Sequence, residues 1–385
     1  MVDRFQLLHV SDLHAAAEER RLGWPEREHL REFPEAVYRR AKAASWDATL
    51  AAVVEHQVIR QSWSDLDALL LTGDLAATGE DGDFRAARQQ FVDHILGLPQ
   101  ANQRPALVVL PGNHDRFKPK FGLPGAYGAN YPRFDEVFND QWTEGAVRAS
   151  RPMQARPAVR MEIVRNRAGR ELAVVAADFT LWRLQDAGSS AAFPGKIRCR
   201  LGRGKAYSQV LTPLREVTEE AAAGGRRPVV WAIHFPPEFP HNQPEMELLN
   251  DGLVLAEAAR LNVGHVFCGH THRPFQYTLS LSAGRRVTVY CAGTATQYCA
   301  PREDGGNTVH PIEIETDNGQ VTAVRWYTLT WERAQGAYHA RRFQGGFESP
   351  GRVAPFNGIP VTSRVETFRE RVFVPQPSGV WPVWP

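Results

Sequence analysis

No run in this 385-residue chain approaches the roughly 18 consecutive apolar residues that a membrane-crossing helix needs. The amino terminus, MVDRFQLLHVSDLH, lacks the long apolar region and small-residue cleavage site of a secretory leader, so the expected location is cytoplasmic. Cysteine is scarce: Cys199, Cys268, Cys291 and Cys299 are the four, and no two form a CxxC pair. A chain this long buries a core without covalent staples, so these thiols are expected to be free and buried. An excess of one charge is also missing. The 45 basic and 43 acidic residues leave a formal net charge of +2, and the pI is near 8.4. Dedicated nucleic-acid binders concentrate basic charge, so the balance indicates neither nucleic acid nor a membrane surface as partner. There is no internal repeat and no low-complexity tract.

What is present is ordinary for a soluble globular protein: 43% hydrophobic and 23% charged residues. Short apolar runs at 5–10, 68–71 and 106–110 read as strands. Between them, Leu50, Val53, Val54 and Val58, and then Phe84, Ala87, Phe91 and Ile95, fall at helical spacing. This rhythm predicts α/β layers with a partly parallel sheet. Further on, runs 159–164 and 172–177 flank RNRAGRE as a hairpin. Thr212-Pro213 reads as a helix start and Gly224-Gly225 as its stop. Strands are expected at 229–233 and 263–268 with a helix at 252–260 between them, then antiparallel strands at 287–292, 312–315 and 321–329, with a DNG turn. We expect one domain over residues 1–335, interrupted by a charged, solvated insertion at about 15–45. A Pro/Gly-rich extension over 336–385 is expected to pack on that domain.

Polar residues gather where the apolar runs stop. SDLH supplies Asp12 and His14, LTGDL supplies Asp74, PGNHD supplies Asn113, His114 and Asp115, WAIHFPP supplies His234, and CGHTH supplies His270 and His272. Ligands bind at the carboxyl ends of strands in α/β sheets, so five distant segments are expected to meet at one edge. In extended backbone, residues two apart face the same way. Asp12 with His14, and His270 with His272, are therefore expected to reach common points. Gly73, Gly112 and Gly269 would let the backbone approach closely. Mixed imidazole and carboxylate donors suit Zn, Fe, Mn or Ni rather than Ca. Eight candidates (Asp12, His14, Asp74, Asn113, His114, His234, His270 and His272) are too many for one ion and enough for two. A Gly-Asp pair alone is a common turn; the ordered set of five segments is what carries weight.

That ordered set, DxH, GD, GNH[DE], H and GHxH, resembles the calcineurin-like metallophosphoesterase superfamily over roughly residues 5–294, including the AGTA stretch at 292–295. HFPP at 234–237 looks like the HHPP of its cyclic-nucleotide phosphodiesterase-like branch, with Phe235 in place of the second histidine. The resemblance implies a four-layer α/β/β/α sandwich around two mixed sheets. It implies a first metal ion on Asp12, His14 and His272, a second on Asn113, His234 and His270, and Asp74 bridging them. His114 would face the scissile phosphate rather than a metal, and Asp115 would orient a neighbouring group or the loop; these two are the candidate catalytic residues. The implied activity is phosphoester hydrolysis, most simply of a small or cyclic phosphodiester. A hydroxide bridging two metal ions would attack in line, and His114 would donate a proton to the leaving oxygen.

Alternatives within the superfamily are a DNA or RNA nuclease and a phosphomonoesterase. A scaffold that had lost catalysis would lack ligands, and none is missing here. His9 and His265 lie inside apolar runs and are expected to be hydrogen-bonded core residues. His29, His56, His94, His241, His310 and His339 belong to no motif. Arg116 and Arg273 follow ligand motifs, where either a phosphate contact or a surface ion pair would fit.

Overall fold

In the computed structural model the apolar runs of the first half become three neighbouring parallel strands: β1 (Asp3–Val10), β2 (Ala68–Leu71) and β3 (Ala106–Val109). Their registers pair Leu7 with Ala68 and Leu69 with Leu107. A ribbon of β4 (Phe117–Pro119) and β5 (Tyr127–Ala129) follows. Then come β6 (Val147–Arg148), β7 (Pro157–Arg165), β8 (Glu171–Ala177), β9 (Gly204–Lys205), β10 (Val229–Ile233), β11 (Leu248–Leu249), β12 (His265–Cys268), β13 (Phe275–Ser280) and β14 (Arg286–Cys291). The last four are β15 (Thr308–Asp317), β16 (Gln320–Trp326), β17 (Leu329–Glu332) and β18 (Ala337–Ala340). The described residues are 2–15, 66–77, 79–92, 105–119, 127–129, 131–138, 147–148, 157–187, 202–223, 227–238, 246–281, 284–295, 308–332 and 337–340. The charged insertion after residue 15, the helix expected at 50–58, Gly224-Gly225, Cys199, Cys299 and most of 336–385 lie outside them.

Two seven-stranded mixed sheets result. The first runs β18-β17-β15-β1-β2-β3, with β16 also on β15; the second runs β13-β14-β12-β10-β8-β7-β6. Side-chain alternation decides what each face covers. Along β8, Leu172, Val174 and Ala176 enter the core shared with the first sheet. Ala173, Val175 and Ala177 enter a second core, with Val210, Leu214 and Val217 of helix Ser208–Ala222 and Val254 and Ala258 of helix Asp251–Leu261. β10 does the same, with Val230 and Ala232 on one side and Trp231 and Ile233 on the other. Helices Asp81–Ala86 and Tyr131–Val137 join the core of the first sheet through Phe84 and Phe134, whose rings meet edge to face at 5.9 Å. The architecture is the expected α/β sandwich of two mixed sheets. Among the described residues, no helix is long and apolar enough to cross a membrane.

The hairpin at β7–β8 and the turn at Asn318-Gly319 form as expected. Several boundaries differ. The helix placed at Thr212-Pro213 begins at Ser208, so Pro213 lies inside it. Burial of Val210, Leu211 and Leu214 offsets the backbone bond that a proline forgoes. The helix marked by Phe84 and Ala87 turns π-helical over Ala87–Val92. The run 321–329 divides into β16 and β17 opposite Pro311: the Tyr327 amide donates to Pro311 O at 3.0 Å, in register with the ladder, but a proline has no N–H to return the bond. Residues 337–340, expected outside the domain, add β18 to the first sheet. Cys268 and Cys291 are buried and free.

His9 is fully buried, with Nε2 2.9 Å from Thr72 Oγ1. His310, which belonged to no motif, is equally buried, and its ring stacks on Trp326 at 4.3 Å. Burial pushes both imidazoles down, with His310 as a second cause for His9, and His310 reaches about 3. A histidine held neutral when folded takes up its proton only on unfolding. Stability is therefore full above the unfolded pKa of about 6.5 and falls below it, by up to about 1.4 kcal/mol per pH unit per residue. Urea unfolding at pH 7.5 and pH 5 should show this loss, and the His310→Gln variant should lose less between the two pH values than wild type. An equal drop in both would remove His310 as a source.

Candidate metal centre

The carboxyl edges of the two sheets are joined by backbone hydrogen bonds. Asp12 N donates to Gly73 O and His14 N to Asp74 O, each at 3.0 Å, within the first sheet. Gly269 N donates to His234 O at 3.0 Å in the second, and Ala295 N crosses to Ser11 O at 3.1 Å. Thr294 Oγ1 adds a bond to Asp12 O at 2.8 Å. Asp12, His14, Asp74, His270 and His272 all take positive φ, between 44° and 75°. The expectation that DxH and GHTH present their ligands from extended backbone is thus corrected. The side chains converge because each residue turns through the left-handed region, where Asp and His are several-fold enriched among non-glycine residues.

The close approaches expected of the glycines are present. At Gly73, whose φ is +99°, a Cβ would lie 2.5 Å from His234 Nδ1, and at Gly269 it would lie 1.8 Å from Ser11 Oγ.

Asp12 uses Oδ2 to accept from His270 N at 2.9 Å. Its Oδ1 lies 3.3 Å from His272 Nε2 and 3.9 Å from His14 Nε2. The two ring nitrogens are themselves 3.0 Å apart. Asp74 accepts from His114 N through Oδ1 at 2.8 Å, and its Oδ2 is 3.4 Å from His234 Nε2. His234 Nδ1–H donates to Thr72 O at 2.7 Å, which leaves Nε2 beside Asp74 and 3.2 Å from Asn113 Oδ1. Two groups of donors emerge: Asp12, His14, Asp74 and His272, and Asp74, His234 and His270, each with ligand atoms within 4.8 Å of one another. Asp74 is common to both.

The donor set fits cations. Among the described residues, Asp12 Oδ1 and His270 Nε2 are buried without a hydrogen-bond partner, an arrangement that is costly unless an ion completes it. Burial alone would raise the Asp74 carboxyl, but the rings of His234, His114 and His14 hold it well below the usual carboxylate range. Burial opposes charge on His234, yet Asp74 pushes that ring up to about 9. Burial and the His234 ring hold His270 well below the ordinary imidazole value. Imidazole with carboxylate is the donor chemistry of first-row transition metals.

His114 donates from Nδ1 to Ala77 O at 2.9 Å, leaving Nε2 for other chemistry, and meets the His14 ring edge-on at 4.6 Å. Asp115 accepts three backbone N–H groups: Gly112 and Ala76 at 2.9 Å and Leu75 at 3.2 Å. It thereby ties the GNHD loop to the GD loop. Burial and the Asp74 charge push its carboxyl up to about 7, against the pull of those bonds.

Arg116 neither reaches the donor cluster nor sits on the surface. It is fully buried, in ion pairs with Asp178 and Asp135. The turn that presents His114 sends the Arg116 side chain into the interior instead. His265, half-buried and 3.2 Å from Tyr290 OH, is a hydrogen-bonded strand residue as expected. Sequence reasoning missed Thr72, whose contribution is a carbonyl without a side-chain signature. It also missed Thr294, although AGTA had stood out.

Two mixed sheets that meet at their carboxyl edges over a buried carboxylate–imidazole cluster define an α/β sandwich with groups able to bind metal. Residues 5–146 match the calcineurin-like phosphoesterase family. The match includes Asp12, His14, Asp74 and the GNHD residues; His234, His270 and His272 come from the second sheet beyond it.

Among solved structures the chain is similar to a dimetal phosphatase from Danio rerio, at 13% identity over 85% of this chain and 99% of that one, with a TM-score of 0.45. It is also similar to a 5′-nucleotidase precursor from Thermus thermophilus, at 15% identity over 87% of this chain and 56% of that one, with a TM-score of 0.44. A purple acid phosphatase from yellow lupin, Lupinus luteus, aligns at 12% identity over 88% of this chain and 53% of that one, with a TM-score of 0.45. The chain thus spans about half the length of the last two. No curated protein sequence matches it.

Gly269→Ala should weaken metal binding while the fold persists, because its Cβ would displace Ser11 or the His270 turn. The expected loss is about 10–100-fold, the size seen when groups supporting ligands are disturbed. Calorimetric titration of manganese into both proteins checks this, and unchanged affinity would mean that the contact relaxes freely.

Proposed function

We propose that the chain hydrolyses a small or cyclic phosphodiester at a centre of two transition-metal ions, drawn from manganese, iron, zinc and nickel. The observation that carries this reading is the place of Asp74 in both donor groups. One ion would rest on Asp12, His14 and His272 and the other on Asn113, His234 and His270, with Asp74 between them. Such a pair, when bound, supplies an acidified water and neutralises phosphate oxygens.

The chain itself supplies position and a proton. The His270 amide fixes Asp12, and the Thr72 carbonyl sets the tautomer of His234. His114, anchored through Nδ1, carries a proton on Nε2 to the departing oxygen. An alkoxide leaves poorly without that proton, so the proton matters most for esters of alkyl alcohols. Asp115 acts on the two loops rather than on the substrate. The mild net charge of +2 favours small diesters over nucleic acid.

Elemental analysis after metal loading should give two ions per chain, and saturation at one would overturn the dinuclear reading. Asp74→Asn should disable both sites together, whereas His14→Ala should weaken mainly one. A metal titration of each variant separates these outcomes; near-normal binding and turnover in Asp74→Asn would reject the bridge.

His114→Ala should keep both ions and lose about 10²–10⁴-fold in turnover of diesters with alkyl leaving groups. The loss should be smaller for nitrophenyl diesters, whose leaving group departs without a proton. A panel of alkyl and aryl diesters, an aryl monoester, cyclic nucleotides and single-stranded DNA, run with each metal, tests both role and substrate class. A uniform loss across leaving groups would reject the proton-donor role, and preference for the monoester would reject the diester assignment.

A further inference from the structure

We propose that Arg116 is a positioning residue that acts through His114; the proposal rests on reading His114 as the proton donor. The helix Asn113–Arg116 is a single turn of four residues. A turn this short has no rigidity of its own, so its direction is set by what holds its ends. At the amino end, Asp115 reaches back to the Gly112 amide and across to Leu75 and Ala76. At the carboxyl end stands Arg116, fully buried. His114 lies between the two anchors.

The second anchor crosses between the sheets. Arg116 Nε and Nη2 grip Asp178 Oδ2 at 3.0 and 2.8 Å, and Nη1 donates to Asp135 Oδ1 at 3.0 Å. The guanidinium lies 5.2 Å from the centre of the Phe134 ring. Asp178 follows β8 of the second sheet and is itself immobilised. Its amide donates to Ala158 O at 2.8 Å, and its Oδ1 accepts from Thr180 N at 2.9 Å and Thr180 Oγ1 at 2.5 Å. Asp135 belongs to helix Tyr131–Val137. One planar fork therefore fastens the His114 turn to two other elements. Lysine carries the same charge but offers a point donor in place of the fork, so Arg116→Lys would keep the charge and release the direction.

The test compares Arg116→Lys in the wild-type and His114→Ala backgrounds. It reads metal content, KM and kcat on an alkyl and a nitrophenyl diester. We expect Arg116→Lys to retain two ions and its KM, and to lose about tenfold to a hundredfold in kcat on the alkyl diester, the scale of an ångström-level displacement. The loss on the nitrophenyl diester should be smaller, and in the His114→Ala background there should be no further loss. An equal loss in both backgrounds, or on both substrates, overturns the proposal and leaves Arg116 a purely structural residue. That result is distinct from failure of the proton-donor reading, which would appear in His114→Ala alone as indifference to the leaving group and would overturn both. If Arg116→Lys does not fold, Asp135→Asn loosens the same anchor from its rim and should show the same background dependence in weaker form; its absence would overturn the proposal.

Discussion

The backbone hydrogen bonds that fasten the carboxyl edges of the two sheets together set the geometry of everything else at this site. Ala295 N to Ser11 O, and the Ser11–Thr294 bridge, bring the end of β14 in the second sheet against the end of β1 in the first. Once those edges touch, β2 and β12 follow in register, and the loops beyond them have one shared space to enter. Backbone bonds do not depend on side-chain identity, but they require close contact. The glycines answer that requirement: a Cβ at Gly112 would fall 2.1 Å from Asp74 Oδ1. The left-handed turns at five ligand-type residues follow from the same crowding. Such backbone costs about 1–3 kcal/mol at each residue, which surrounding bonds such as His14 N to Asp74 O help to hold in place.

The join also creates an electrostatic problem. Asp12 and Asp74 are buried, and desolvation works against the charge on Asp74. Amide donors from His270 and His114 satisfy one oxygen of each. The second oxygens face imidazoles. Without cations, the Asp74 charge is balanced by a proton on His234, which is why that ring rises to about 9 while neighbouring His270 falls. A metal ion and that proton compete for the same lone pair. The cluster is therefore poised to exchange protons for cations.

Much of this was legible in the sequence, for a definable reason. Strand ends, glycine breaks and ligand-type residues are local features, so DxH, GD, GNHD, the lone His234 and GHTH could be read as one edge. The β7–β8 hairpin and the alternation along β8 were likewise written in period-two patterns. What could not be read depends on distance or on backbone. Nothing local links Arg116 to Asp178, 62 positions away, or marks Thr72 as the acceptor for His234. The left-handed conformation of Asp12 and His14 arises from crowding by the second sheet. Extended-chain alternation therefore gave the right convergence by the wrong geometry. Pro213 misled because burial of one helix face outweighed the local signal.

Phe235 shows how a residue without donors shapes such a site. It is fully buried, with its ring 4.9 Å from the His234 ring and 4.7 Å from the His270 ring. On another side it meets Gly204, where any Cβ would lie 2.4 Å from the ring. A second histidine at this position would bring another titratable nitrogen against two imidazoles already crowded around one carboxylate. Phenylalanine supplies the same flat surface without a proton equilibrium. It also lowers the polarity beside the His234 and His270 rings, which strengthens charge interactions there. The wall contributed by the second sheet is thus apolar at Phe235 and basic at His234, His270 and His272, each of which shares a donor group with Asp74.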